Sequence, residues 1–187
     1  MNDVIYVDNN ATTMVAPEVV EAMEPYFTEM YGNPSSPHKF GGQVREAVNE
    51  ARGQVASLIG ADESEIIFTS CGTESDSTAV RAALKSQPRK RHIITSVVEH
   101  PAVLRLCKHL EAEEGYAVTY LEVDEEGRLD LDHLESSIID GTALITIMHA
   151  NNETRVIFPI EEIAEIARDH QVLFHTDAAQ SVGKIPL

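Results

Sequence analysis

An apolar run, Val172-Leu173-Phe174, leads through His175-Thr176 to Asp177 and so delivers a carboxylate to the carboxyl end of a strand, where open α/β sheets place their ligands. A carboxylate there either receives something cationic or caps the turn that follows. Gly72-Thr73 opens a helix directly after another apolar run, so free backbone N–H groups, a hydroxyl and the positive end of a helix dipole meet in one place. That is the make-up of a phosphate cradle, and equally of an N-cap with Glu74 and Ser75 in the first turn. His100 follows a third run and precedes Pro101, so its ring can face the same edge or act as a cap. Asn151-Asn152-Glu153 adds amide donors and acceptors after a fourth run, in a pattern that also makes turns. Neither a Walker A lysine motif nor a G-x-G-x-x-G follows any strand, which weakens a nucleoside triphosphate or dinucleotide reading.

These residues need elements to position them. The chain opens with an extended piece, Val4 to Val7, and a polar turn over Asp8-Asn9-Asn10-Ala11-Thr12-Thr13. Pro17 starts a helix with Val19, Val20, Met23, Phe27 and Met30 on one face, which Pro25 should kink. Tyr31 to His38 is too rich in turn formers for regular structure. A second helix carries Val44, Val48, Ala51, Val55, Leu58 and Ile59 on one stripe and ends at Gly60. From Glu65 the rhythm becomes strand and helix by turns. Strands are expected over Glu65–Thr69, His92–Val98, Ala117–Leu121, Thr142–Met148 and Val172–Phe174. Between them come a helix with Ala79, Val80, Ala83 and Leu84 inward and one from Pro101 with Val103, Leu104, Cys107 and Leu110 inward. A short helix over Asp130–Ile139 and one from Pro159 with Ile160, Ile163, Ala164 and Ile166 inward complete the series. This alternation predicts an α/β fold, a three-layer α/β/α sandwich around a mostly parallel sheet. A division into an arm (1–15) and a large domain (16–187) is expected, with four loops gathered on one sheet edge.

At 187 residues and 43% apolar the chain can bury a sizeable core. Its 14 basic and 31 acidic residues leave a formal charge of −17, which argues against nucleic acid and anionic membrane as partners. Cys71 and Cys107 are far apart and outside any CxxC spacing, so a reducing compartment fits better than a disulfide scaffold, and Cys107 reads as core. With no signal-like start and no run long enough to span a membrane, the cytoplasm is the expectation. The histidines show neither H-E-x-x-H nor a Cys/His cluster, so no metal site is expected.

A phosphate seat, a flat imidazole, an amide and a carboxylate on one edge match what pyridoxal 5'-phosphate requires. The carboxylate would keep the pyridine nitrogen protonated, and the other groups would orient the ring and its phosphate.

Six ordered motifs then resemble a known family: Asp8 to Thr13, Gly32-Asn33-Pro34-Ser35-Ser36, Thr69 to Ser75, Glu99-His100, Asn151-Asn152-Glu153 and His175 to Gln180. They resemble the cysteine desulfurases of the NifS/IscS type, in the class-V aminotransferase group of fold-type-I pyridoxal phosphate enzymes. The resemblance runs from Met1 to Leu187 without a gap. It implies that Gly72 and Thr73 bind the cofactor phosphate and that His100 stacks on the ring and helps to move protons. Asp177 would pair with the pyridine nitrogen and Gln180 with the phenolic oxygen. Asn152 would lie near that oxygen and the substrate carboxylate, with Ala11 and Thr12 lining the substrate side. The implied reaction converts L-cysteine to L-alanine and an enzyme-bound persulfide, passed by a homodimer to an iron–sulfur scaffold protein.

The chain departs from the family pattern in two ways. Arg155 stands where the family has glycine, which would strain the loop if that backbone needs a positive φ. The family also continues past Leu187, and its Schiff-base lysine, catalytic cysteine and carboxylate-binding arginine lie in that continuation. The sequence is therefore expected to be an amino-terminal half, inactive alone and completed by a second chain or a longer parent. Alternatives are a non-catalytic binding or assembly module of the same fold, a related class-V aminotransferase or selenocysteine lyase, and a Rossmann-like nucleotide binder.

Overall fold

The computed structural model describes residues 5–185. Val4, where the expected extended piece begins, lies outside them, and 5–7 form no strand. The chain divides between Phe68 and Thr69 into two compact units.

The first unit holds α1 (Pro17–Thr28) and α2 (Lys39–Ile59). Pro25, expected to kink α1, instead stands one turn from its end: the N–H groups of Glu29 and Met30 close on the Pro25 carbonyl at 2.8 and 2.7 Å. No residue of α1 is buried. His38 caps α2, its Nδ1 accepting from the Gly41 N–H at 3.1 Å, and Gly60 closes it with φ of 67°. Gly41 is required as glycine, because the Asn33 carbonyl and Ser36 press so closely on it that a β-carbon would collide. The expected apolar stripe of α2 is only partly covered: Val44, Val48 and Val55 are half-buried, Ala56 is buried, and Ala51, Leu58 and Ile59 are exposed.

The strand expected over Glu65–Thr69 does not form. Glu63–Glu65 is a single 3-10 turn, held because Asp62 and Glu65 cap each other. The Ile66 carbonyl, which a strand would give to a neighbour, accepts from the Arg52 guanidinium, itself 4.9 Å from the Phe68 ring centroid. β-propensity at Ile66, Ile67 and Phe68 is overridden because no described strand pairs with them.

The second unit runs α3 (Gly72–Ser86), β1 (His92–Ser96), α4 (Pro101–Glu114), β2 (Ala117–Leu121), α5 (Leu131–Ser136), β3 (Thr142–Thr146), α6 (Ile160–Asp169), β4 (Leu173–His175). The strands lie in the order β2-β1-β3-β4, every pair parallel. Alternation along each strand supplies two separate cores. Ile93 and Leu144 pack with Val80 and Leu84 of α3 and with Val103, Cys107 and Leu110 of α4. Ile94 and Ile145, one residue on, face the other way and pack with Leu134 of α5 and with Ile163 and Ala167 of α6. Two apolar faces on one sheet, each covered by helices, make the expected three layers.

β1 and β3 each end two residues sooner than expected, at Ser96 and Thr146. Beyond those points the chain turns into the loops that carry the site. Among the described residues no helix is long and apolar enough to cross a membrane.

Candidate active site

Three loops at the carboxyl edge of the sheet are fastened to one another by buried groups. Glu99, after β1, accepts from the Ser96 hydroxyl at 2.8 Å and from the Met148 N–H, after β3, at 3.0 Å. The Asn151 side chain donates to the Val98 carbonyl at 3.0 Å and accepts from the N–H groups of Glu153 and Thr154 at 2.8 and 2.9 Å. His149 N–H donates to the Asp177 carbonyl, after β4, at 2.9 Å. Asn151, named in the sequence only as part of the Asn151-Asn152-Glu153 motif and given no role of its own, is thus the amide that builds the loop on which half-buried Asn152 sits. Asn152 donates to Glu153 Oε1 at 2.8 Å.

Asp177 Oδ1 accepts from the Ala179 N–H at 2.9 Å, so the capping role is present. Its charge also reaches Asp76, Glu99 and His175. Half-buried Gln180 lies in the turn that follows, its Oε1 accepting from Lys184 Nζ at 3.3 Å.

Thr73 and His100 line one cavity of about 440 Å³ together with Ser77 and Arg105. α3 starts at Gly72, and a β-carbon added there would meet nothing within 4 Å, so the space against the helix end is open. His100 caps α4, its Nδ1 accepting from the Ala102 N–H at 3.2 Å. The sequence therefore brings Thr73, His100 and Asp177 to one edge. Ala11 and Thr12 belong to the other unit, where their N–H groups face the Asp8 carbonyl at 3.2 and 3.5 Å.

Burial makes this edge electrostatically unusual. Asp76 is pushed up to about 6, first by burial and then by the charge of Asp177, with His100 opposing. Burial pushes Glu99 up to about 7 against its two hydrogen bonds. His175 is held below the ordinary imidazole range by burial, with Asp177 pulling the other way. Among the described residues, none of the charges acting on these three groups comes from lysine or arginine. Glu99 Oε2, His149 Nδ1 and Thr176 Oγ1 are buried without a partner among the described residues. Asp76 was missed because Ser75-Asp76-Ser77 reads as solvated. The signal was its spacing, four and eight residues before Val80 and Leu84, whereas Ala79, expected inward, is exposed.

Arg155 takes φ of 65°, a left-handed conformation that suits glycine. Arg155→Gly should therefore raise stability by about 1 kcal/mol. Thermal unfolding checks it, and an unchanged or lower Tm would show the loop to be unstrained.

A parallel sheet whose carboxyl edge joins a helix N-terminus, a capping histidine and a partly buried carboxylate makes this an α/β protein with its candidate site at the strand ends, where open α/β sheets place ligands. Residues 5–187 match the family described as aminotransferase class-V, and the chain belongs to that family. It is 65% identical over 184 residues to a cysteine desulfurase of Trichormus azollae, which covers 98% of this chain and 46% of that protein. It is 58% identical over 184 residues to the cysteine desulfurase NifS of Azotobacter vinelandii, with the same coverage. Among solved structures, a NifS-like protein superposes with a TM-score of 0.94 at 41% identity, over 98% of this chain and 51% of that one. SspA in complex with cysteine superposes with a TM-score of 0.90 at 41% identity, over 94% and 51%. The chain thus spans about half the length of the relatives it matches.

Proposed function

We propose that this chain supplies the cofactor-holding part of a pyridoxal phosphate-dependent cysteine desulfurase, which takes sulfur from L-cysteine and leaves L-alanine. The observation that carries this reading is Asp177: a half-buried carboxylate whose charge reaches the buried acids Asp76 and Glu99, on the same edge as an open helix end. That donor set fits a phosphorylated pyridine ring, anionic at one end and cationic at the other.

The Gly72 and Thr73 N–H groups, with the Thr73 hydroxyl, would hold the phosphate at the positive end of α3. Asp177 would accept from the ring nitrogen and keep its proton in place. When bound, pyridoxal phosphate supplies an electron-withdrawing ring that makes the substrate Cα–H acidic. His100 accepts a backbone N–H at Nδ1, so in its neutral form the ring bears its proton at Nε2, which it could donate while its flat face would pack on the cofactor ring. Gln180 would donate to the phenolic oxygen, and Asn152 would approach that oxygen and the substrate carboxylate. A cytoplasmic homodimer handing sulfur to an iron–sulfur scaffold protein completes the proposal.

Titrating the full chain with pyridoxal phosphate tests it. Saturable binding that inorganic phosphate competes away and Thr73→Val weakens is the expected result for this chain, with alanine release from L-cysteine once it is completed by the part that carries the Schiff-base lysine and the catalytic cysteine. Absence of binding, or of alanine release by the completed protein, would overturn it.

A further inference from the structure

Asp76 has no part in the roles above, yet α3 places it inward on the stripe of Val80 and Leu84, only 6% exposed. An aliphatic residue there would extend the core without desolvating a charge. Asp76 Oδ1 stands 3.7 Å from His175 Nε2, and the other ring nitrogen, Nδ1, is 2.8 Å from Thr146 Oγ1. The titratable groups facing Asp76 are His175 and Asp177 at the end of β4, His100 at the head of α4, and Glu99 in the loop before it.

We infer that Asp76 is a positioning residue for Asp177, a second negative charge beside the first that strengthens the hold on a protonated ring nitrogen. The inference rests on the cofactor reading proposed above. Two like charges in a partly dry pocket repel, and a cation against either relieves the repulsion. Asp76 is raised in part by Asp177, so a bound cation makes Asp76 easier to ionise, and by reciprocity an ionised Asp76 tightens the cation. Burial pushes His175 below the ordinary imidazole range, with Asp177 opposing, which disfavours a positive charge there that would offset the pair.

Asp76→Asn keeps the shape and removes the charge, and Asp76→Ser serves if that variant does not fold. In the chain without cofactor, carboxyl-carbon NMR should show the raised Asp76 titration midpoint falling in Asp177→Asn or Asp177→Ser, and an unmoved midpoint overturns the inference. In the loaded protein and its Asp76 variants, affinities are compared for pyridoxal phosphate and for its deaza analogue, which has carbon in place of the ring nitrogen. The preference for the nitrogen-bearing ligand should drop about threefold while affinity for the analogue holds. Equal losses for both ligands would mark a merely structural residue and overturn the inference. If neither ligand binds the unsubstituted protein, the cofactor reading fails, and the Asp76 titration alone decides on its coupling to Asp177.

Discussion

If the chain is part of a cysteine desulfurase as proposed, replacing Asp177 with alanine in the completed, cofactor-loaded enzyme should lower kcat for alanine release from L-cysteine by about a hundred- to a thousandfold. Affinity for pyridoxal phosphate should fall by no more than about tenfold, because the phosphate seat at Gly72 and Thr73 is untouched. The asymmetry follows from timing. In the proposed reaction the carboxylate would matter most while the substrate Cα–H is being deprotonated, and less for holding the cofactor in place. Alanine also removes the acceptor for the Ala179 N–H, which costs about 1 kcal/mol of local order. Asp177→Asn controls for this, since an amide oxygen can still accept that bond while the charge is gone. Both variants should lose turnover alike in steady-state assays, and normal kcat in either would remove Asp177 from the reaction.

Glu99→Gln should change the way stability depends on pH. In the folded protein the Glu99 carboxyl titrates near 7, against an ordinary value of 4.5. Between those limits the folded chain holds a proton that the unfolded chain has released, so stability is fully present below the lower value and is lost as pH rises through the upper one. The loss amounts to about 3 kcal/mol. Glutamine keeps an oxygen for Ser96 and Met148 and has no proton to lose. The variant should match the parent in acid and exceed it increasingly toward neutrality. Asp76, raised to about 6 chiefly by burial, slopes the same way in both proteins and leaves in the difference only its smaller charge coupling to Glu99. His92 and His175, both depressed, slope the opposite way below 6.5 and cancel. Urea unfolding from about pH 4 to about 8 reads the difference, and parallel curves would place Glu99 in a solvated setting.

Where the structure agrees with the sequence, a local signal and a tertiary demand coincide. Pro17 and Pro101 each open a helix, Gly60 closes one, and adjacent apolar residues such as Ile93 and Ile94 require cover on both faces of the sheet. Where they part, a partner decides. Ile66, Ile67 and Phe68 have strand character, but the Ile66 carbonyl goes to Arg52. Glu99-His100 reads as a single motif, yet the two side chains divide: His100 is exposed and caps a helix, whereas Glu99 is buried and ties two loops together. Asn151 and Asn152 divide in the same way, and no local rule tells which of two identical neighbours turns inward. Asp76 shows the converse, a charge whose helical spacing marks it as internal although its type argues for solvent.

Cys107 bears on the chemistry proposed for this family. It lies wholly inside the core against α3 and β1, and burial, aided by the charge of Glu99, pushes its thiol up to about 12. Sulfur exchange proceeds through the thiolate, so near neutral pH this side chain neither attacks nor accepts a migrating sulfur atom. A protein proposed to handle reactive sulfur thus carries one of its two cysteines in a chemically silent form, unable to divert cargo into its own interior.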